Sequence, residues 1–315
     1  MGAVVGNTFY FGFEVRLMEF LQNIFGGAAV SIISFLSAFG EEVAMILIIG
    51  FFFWGYDKKT GAYIATNVMV GAVFTPMIKN IFWRRRPYFD HEGIKCLRPV
   101  EKNADIYDIA AQGFSFPSGH STNAAVCYGS MARTMKKKVF MFLGFVIPFL
   151  VGFSRVLVGC HYPTDVLFGW VSGTLIIFLI PFILEKAGGE KRWLVFLIIF
   201  LISCIGLLYC KTSDYFSGLG LMGGFFAGTE FEARKVKFDN TRKPLIIIAR
   251  VIGGVAVFLI FNTLLKLPFS SEFLDSGTFL AGIVRFMRYL IVAFLMIGIY
   301  PMIFKVEKTL PSSAL

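Results

Sequence analysis

Two histidines in this 315-residue chain stand in settings suited to proton and phosphoryl chemistry. His161 lies in "CHYPTD" and is followed four residues later by Asp165. At a helix start, that spacing puts both side chains on one face. A carboxylate beside an imidazole fixes its tautomer and supports its cation, so His161 can act as a nucleophile. His120 lies in "FSFPSGHST" and has no such partner in sequence, which suits a proton donor and acceptor. Pro117 and Ser118 are helix-start signals, and Gly119 lets a ligand approach the backbone closely. The free N–H groups of a helix start bind phosphate. Lys79, Arg86 and Arg155 add three cations with no carboxylate nearby in sequence. They suit a dianionic group, because the planar fork of arginine matches phosphate oxygens.

The elements that must position these residues are membrane helices. The chain is 57% hydrophobic and only 16% charged, too apolar for a soluble domain of this length. Apolar segments of about 20 residues, the length that spans a bilayer, recur along it. Nine spans are predicted, at 43–56, 62–82, 118–135, 139–157, 163–184, 193–210, 216–232, 244–267 and 278–304. The fold class is therefore an all-α, polytopic transmembrane bundle. Three regions are expected: an interfacial segment at 1–39, a core at 40–210 and extra helices at 211–315. Within the first, residues 9–25 place charges and apolar groups on different helix faces, as an interfacial helix does. The apolar stretch 28–39 is too short to span alone.

Lysine and arginine counts in the short loops orient the bundle. The richer side holds Lys58 and Lys59, Arg133 and Lys136 to Lys138, Lys186, Lys191 and Arg192, Arg234, Lys235, Lys237, Arg242 and Lys243, and Lys305 and Lys308, and is assigned to the cytoplasm with the C-terminus. The polar loop between residues 83 and 116, and the three polar clusters, then fall at the outer face. The net charge of +10 follows from this topology and does not call for nucleic acid. The five cysteines have neither a CxxC pair nor zinc-ligand spacing, and Cys160 is expected to pack as a small hydrophobe. No cleaved signal peptide is expected, since no basic residue precedes Arg16.

The clusters form a pattern. Lys79 is followed after six residues by Arg86 and Pro87; Pro117 to His120 read "PSGH"; Ser154 and Arg155 are followed after five residues by His161 and after three more by Asp165. This resembles the tripartite signature of the type 2 phosphatidic acid phosphatase (lipid phosphate phosphatase) superfamily, at eleven fixed positions in order and in spacing. The resemblance covers roughly residues 40–185. It implies that His161 attacks phosphorus in line and forms a phosphohistidine, with Asp165 on its other ring nitrogen. His120 would protonate the leaving oxygen and then activate water. Lys79, Arg86, Arg155, Ser118 and the Gly119 amide would hold the phosphoryl oxygens. Three fixed cations can do what magnesium does elsewhere, so neither a metal nor another cofactor is expected. Related soluble proteins bind vanadate with the same constellation, a reading the nine spans speak against.

Other residues carry plainer expectations. Arg84 and Arg85 are expected to snorkel to headgroups. Glu41 and Glu42 open a helix, where the dipole stabilises carboxylates; the rival reading has them face the outer cavity and touch a headgroup. His91 is assigned no role, and Asp105 and Asp214 are expected to be solvated. The glycine-rich stretch 218–228 reads as a helix-packing face. The expected activity is hydrolysis of a membrane lipid phosphate or polyprenyl pyrophosphate, undecaprenyl pyrophosphate if the source is bacterial. The alternatives are transfer of the phosphoryl group to another lipid or sugar, and lipid binding or transport without turnover. The helices after 193 could form an oligomer contact, a tail groove or a lid.

Overall fold

The computed structural model describes residues 6–25, 31, 33 and 35–305. Part of the apolar stretch 28–39 and Lys308 lie outside them. Among the described residues the chain is helical, with one isolated β-bridge between Asn7 and Arg84. Ten principal helices follow one another: α1 (Gly12–Ile24), α2 (Glu42–Gly50, continued by a wider turn Phe51–Tyr56), α3 (Lys58–Phe82), α4 (Gly119–Met135), α5 (Lys138–Leu157), α6 (Pro163–Ala187), α7 (Arg192–Cys204), α8 (Ser213–Phe231), α9 (Pro244–Leu264) and α10 (Phe279–Phe294).

Among the described residues, six helical segments are long and apolar enough to cross a membrane: Lys58–Phe82, Lys138–Leu157, Pro163–Ala187, Gly189–Leu208, Pro244–Leu264 and Phe279–Phe304. The chain is an integral membrane protein. The other three predicted spans are also helices, but Glu42–Tyr56 and the 17-residue α4 are shorter, and α8 falls outside the apolar set. Large apolar side chains on α5, α6 and α7, such as Phe145, Leu175 and Leu201, point outward and exposed, as a lipid-facing surface requires.

Two compact units can be distinguished. The first combines Met1–Met45 with Phe74–Leu179, and the second combines Ile46–Val73 with Ile180–Leu315. In the first unit, α4 packs closely on α5. Beside them lies a cluster that includes Met18, Tyr88, Ile94, Val158, Cys160 and Tyr162, so the turn bearing His161 rests on a packed base. In the second unit α8 packs closely against α10. Its glycines make that approach possible: a Cβ on Gly220 would meet the Phe286 carbonyl oxygen at 2.3 Å, and one on Gly224 would meet that of Leu290 at 2.2 Å. The stretch 218–228 is thus a helix-packing face, as its composition predicts.

The N-terminal helix differs from expectation in one respect. Its apolar residues Phe13, Leu17, Phe20 and Ile24 are exposed, which fits an interfacial helix, and so is Arg16, but one charge, Glu14, does not face water. Glu14 is fully buried beside Met18, four residues on, against the first unit. Gln22 on the same helix donates to the carbonyls of Lys95 and Leu157, both at 2.9 Å. The physical reason is a set of buried donors, described below, that need a carboxylate.

Candidate active site

All the predicted site residues fall within the first unit. Lys79 closes α3, Arg86 follows in an extended segment, and Ser118, Gly119 and His120 open α4. Arg155 sits in the last turn of α5, His161 in the turn after it, and Asp165 in the first turn of α6. Segments far apart in sequence therefore deliver their polar ends to one place.

Each side chain is held. Ser118 is the N-cap of α4, its hydroxyl oxygen accepting from the Ser121 amide at 3.4 Å and from the Ser121 hydroxyl at 2.9 Å. The Ser118 amide donates to the Asp165 carbonyl at 3.1 Å, which ties the start of α4 to the start of α6. Gly119 is uncrowded, since a Cβ there would make only an ordinary contact with Thr75, at 3.7 Å. An oxyanion could lie against the first amides of the helix here.

The three cations converge. Lys79 donates to the Phe114 carbonyl at 2.8 Å. Arg86 is 2% exposed and donates from Nε to the carbonyls of Gln112 (2.9 Å) and Gly113 (3.1 Å), and from Nη1 to that of Cys160 (3.0 Å). Arg155 reaches Ser37 Oγ at 3.3 Å, and Ser37 in turn lies 2.8 Å from Ser154 Oγ; Arg155 Nε is buried without a hydrogen bond. Such a donor is suited to an anion.

His161 is 2% exposed. Its Nε2 lies 3.4 Å from Arg86 Nη1, and its Nδ1 lies 3.6 Å from Asp165 Oδ2. A guanidinium can only donate, so Nε2 carries the lone pair and Nδ1 the proton that points toward Asp165. The 3.6 Å separation is longer than a hydrogen bond, and Nδ1 has no other partner. Burial, followed by the charges of Arg86, Lys79 and Arg155 and by His120, holds the imidazole well below its ordinary pKa. His161 is therefore neutral, the form able to attack.

The structure corrects several expectations. His120 does have a carboxylate nearby: Glu41 Oε1 lies 4.0 Å from its Nε2 and also pairs with Arg98. Sequence reasoning missed this pair because 79 residues separate the two. Glu41 thus faces the site, the rival reading of the two, while Glu42 is exposed in the first turn of α2. Neither Arg84 nor Arg85 extends freely toward headgroups: Arg84 is 1% exposed, and Arg85 pairs with Asp90 at 3.1 Å. His91 is placed too, its Nε2 3.1 Å from the Tyr162 hydroxyl. The Cys160 thiol donates to the Arg98 carbonyl at 3.0 Å. The loop between α3 and α4 is ordered around buried Gln112, whose side-chain oxygen accepts from the amides of Val100 and Glu101 and whose carbonyl takes Arg86.

The chain is similar to known proteins. A family model for the PAP2 superfamily matches residues 60–189, and one described as "PAP2 superfamily phosphatase, transmembrane extension" matches residues 216–309. Over 190 residues the chain is 27% identical to an undecaprenyl-diphosphatase of Sulfolobus acidocaldarius, covering 60% of this chain and 86% of the relative. It is 29% identical over 134 residues to a lipid A 1-phosphatase of Rhizobium etli, covering 42% of this chain and 54% of the relative. It is 46% identical over 88 residues to a phosphatidylglycerophosphatase B of Bacillus subtilis, covering 25% of this chain and 43% of the relative. The chain thus spans about half the length of the last two. No solved structure matches it. The two family regions together take in well over half of the chain, and the first contains every cation and histidine of the site: the chain belongs to the PAP2 superfamily.

Proposed function

We propose that this protein is a membrane-embedded phosphatase that hydrolyses a lipid phosphate or polyprenyl pyrophosphate through a phosphohistidine on His161. One observation carries the reading: a buried, neutral imidazole turns its Nε2 lone pair toward Arg86 and feels the charges of Lys79 and Arg155 as well. In the first step the Nε2 lone pair forms a bond to phosphorus as the bond to the leaving oxygen breaks. His120 donates its proton to that oxygen. In the second step His120 takes a proton from water, the hydroxide adds to phosphorus, and the P–N bond breaks to release phosphate. Asp165 closes on Nδ1–H as positive charge develops on the ring. Lys79, Arg86, Arg155, Ser118 and the Gly119 amide carry the charge on the phosphoryl oxygens, so catalysis is mostly positioning and electrostatics and needs no metal.

Undecaprenyl pyrophosphate is the favoured substrate, supported by the Sulfolobus relative, most of whose length this chain covers. The site would face outward across a cell membrane, with the C-terminus in the cytoplasm, on the strength of the lysine and arginine bias of the loops. Residues 40–210 would form the catalytic core, and the helices beyond 211 a tail groove, a lid or an oligomer contact. The test is a phosphate-release panel on purified protein in detergent: undecaprenyl pyrophosphate, phosphatidic acid and phosphatidylglycerol phosphate, each with and without chelator. Release from the pyrophosphate, unaffected by chelator, is expected. Stoichiometric transfer to a lipid or sugar acceptor with little free phosphate would instead make the protein a transferase. Binding without turnover would make it a carrier.

A further inference from the structure

Arg84 belongs to no motif, yet all its nitrogens are engaged. Nε donates to the Phe9 carbonyl at 2.8 Å. Nη1 donates to Thr164 Oγ1 at 2.7 Å and to Asp165 Oδ1 at 2.6 Å. Nη2 donates to Glu14 Oε2 at 3.0 Å. The guanidinium carbon also lies 3.9 Å from the Tyr162 ring centre and 4.6 Å from that of Phe9. Glu14 is equally saturated. Its Oε1 accepts from the Thr164 amide (2.9 Å) and hydroxyl (2.6 Å), and its Oε2 accepts from the Phe11 amide at 2.9 Å. The side chains of Glu14 and Asp165 are fully buried, and that of Arg84 is 1% exposed.

The consequence concerns the residue behind the nucleophile. Asp165 has two oxygens with separate duties: Oδ1 takes Arg84, while Oδ2 takes the Tyr162 amide at 2.8 Å and faces His161 Nδ1. Arg84 therefore fixes the rotation of the carboxylate and supplies the positive charge that lets it remain ionised in a dry site. Glu14 and Thr164 in turn fix Arg84. We propose that Arg84 and Glu14 are positioning residues for catalysis, which hold Asp165 as the oriented carboxylate behind His161 and make the N-terminal helix part of the catalytic scaffold. This rests on the reading of His161 as nucleophile.

Opposite charge changes in the network should have opposite effects, which a merely structural role would not produce. The groups around Asp165 and His161 are Arg84, Glu14, Lys79, Arg86, Arg155 and His120. In Arg84→Met two carboxylates lose their shared cation and compete for a proton. Its low-pH limb of kcat/KM should move up by about one unit or more, and kcat should fall by about 100-fold with KM nearly unchanged, as for a misplaced catalytic group. Arg84→Lys should restore the limb but only part of kcat, since an ammonium keeps the charge and loses the fork. Glu14→Gln removes a negative charge and should move the limb down.

The experiment is the pH profile of phosphate release from undecaprenyl pyrophosphate, per folded protein, for these three variants beside the wild type. If Arg84→Met yields no folded protein, Arg84→Lys and Glu14→Gln carry the test. Limbs that superimpose on the wild type, or that move in the same direction for Arg84→Met and Glu14→Gln, overturn the proposal, as does full kcat in Arg84→Lys together with an unmoved limb in Glu14→Gln. A wild-type protein that releases phosphate from no lipid overturns the functional reading instead.

Discussion

At the residue scale, the site is a neutral imidazole placed among cations. His161 binds its proton less tightly when folded than when unfolded, because burial and the Arg86, Lys79 and Arg155 charges oppose the cation. The unfolded chain therefore takes up the proton first as pH falls. Stability from this group is complete above about pH 6.5, the ordinary histidine value, and is lost below it. The acid limb of kcat/KM, which reports the free enzyme, is expected below that same value. A limb at or above it would contradict the assignment of a buried neutral nucleophile. Gly119 gives a prediction that separates stability from function. A methyl group there makes only an ordinary contact with Thr75, at 3.7 Å, and alanine in place of glycine restricts the unfolded chain, which stabilises by roughly 0.4–1 kcal/mol. Gly119→Ala should therefore keep or slightly raise the thermal midpoint while losing about 100-fold or more of kcat/KM, the scale of one lost oxyanion contact. Thermal unfolding and steady-state kinetics on one preparation check both halves.

At the scale of elements, helix starts and close helix contacts do the positioning. Ser118 caps α4, so Ser118→Ala should cost about 1 kcal/mol from the lost cap and also weaken phosphate binding. The α8–α10 contact depends on glycine. Gly224→Ala would drive a methyl group to 2.2 Å from the Leu290 carbonyl, so the helices must separate. A destabilisation of about 1–3 kcal/mol is expected, read as a lower midpoint in detergent. Here the sequence was readable in part. Most predicted spans became helices within a few residues of their limits, because long apolar runs have few other solutions in lipid. The proposed catalytic roster was readable because it lies in short fixed spacings. Its supports were not, because Glu14, Arg84 and Asp165, like Glu41 and His120, meet only after the chain folds. One signal was available. Pro87 keeps the preceding residue extended, and extended backbone alternates its faces. Arg84 therefore shares a side with Arg86, and both are buried while Arg85 is partly exposed. Glu14 was misread because a charge on an amphipathic helix ordinarily faces water.

At the scale of the whole molecule, the account needs a defined sidedness. Asn103 lies exposed in the loop before α4, and Lys137 lies exposed between α4 and α5, at opposite ends of α4. Asn103→Cys should react with a membrane-impermeant maleimide on intact cells and Lys137→Cys only after lysis, each compared with the unmodified chain to allow for its five cysteines. The reverse pattern would place the site at the inner leaflet and contradict the proposed outward-facing site.

The central claim is chemical, and trapping the intermediate tests it most directly. Purified protein in detergent is mixed with undecaprenyl pyrophosphate labelled in its terminal phosphate and quenched in base. A phosphohistidine on His161 should give protein-bound label that survives base, is lost in acid, and disappears in His161→Ala together with phosphate release. Phosphate release by His161→Ala at the wild-type rate would contradict it.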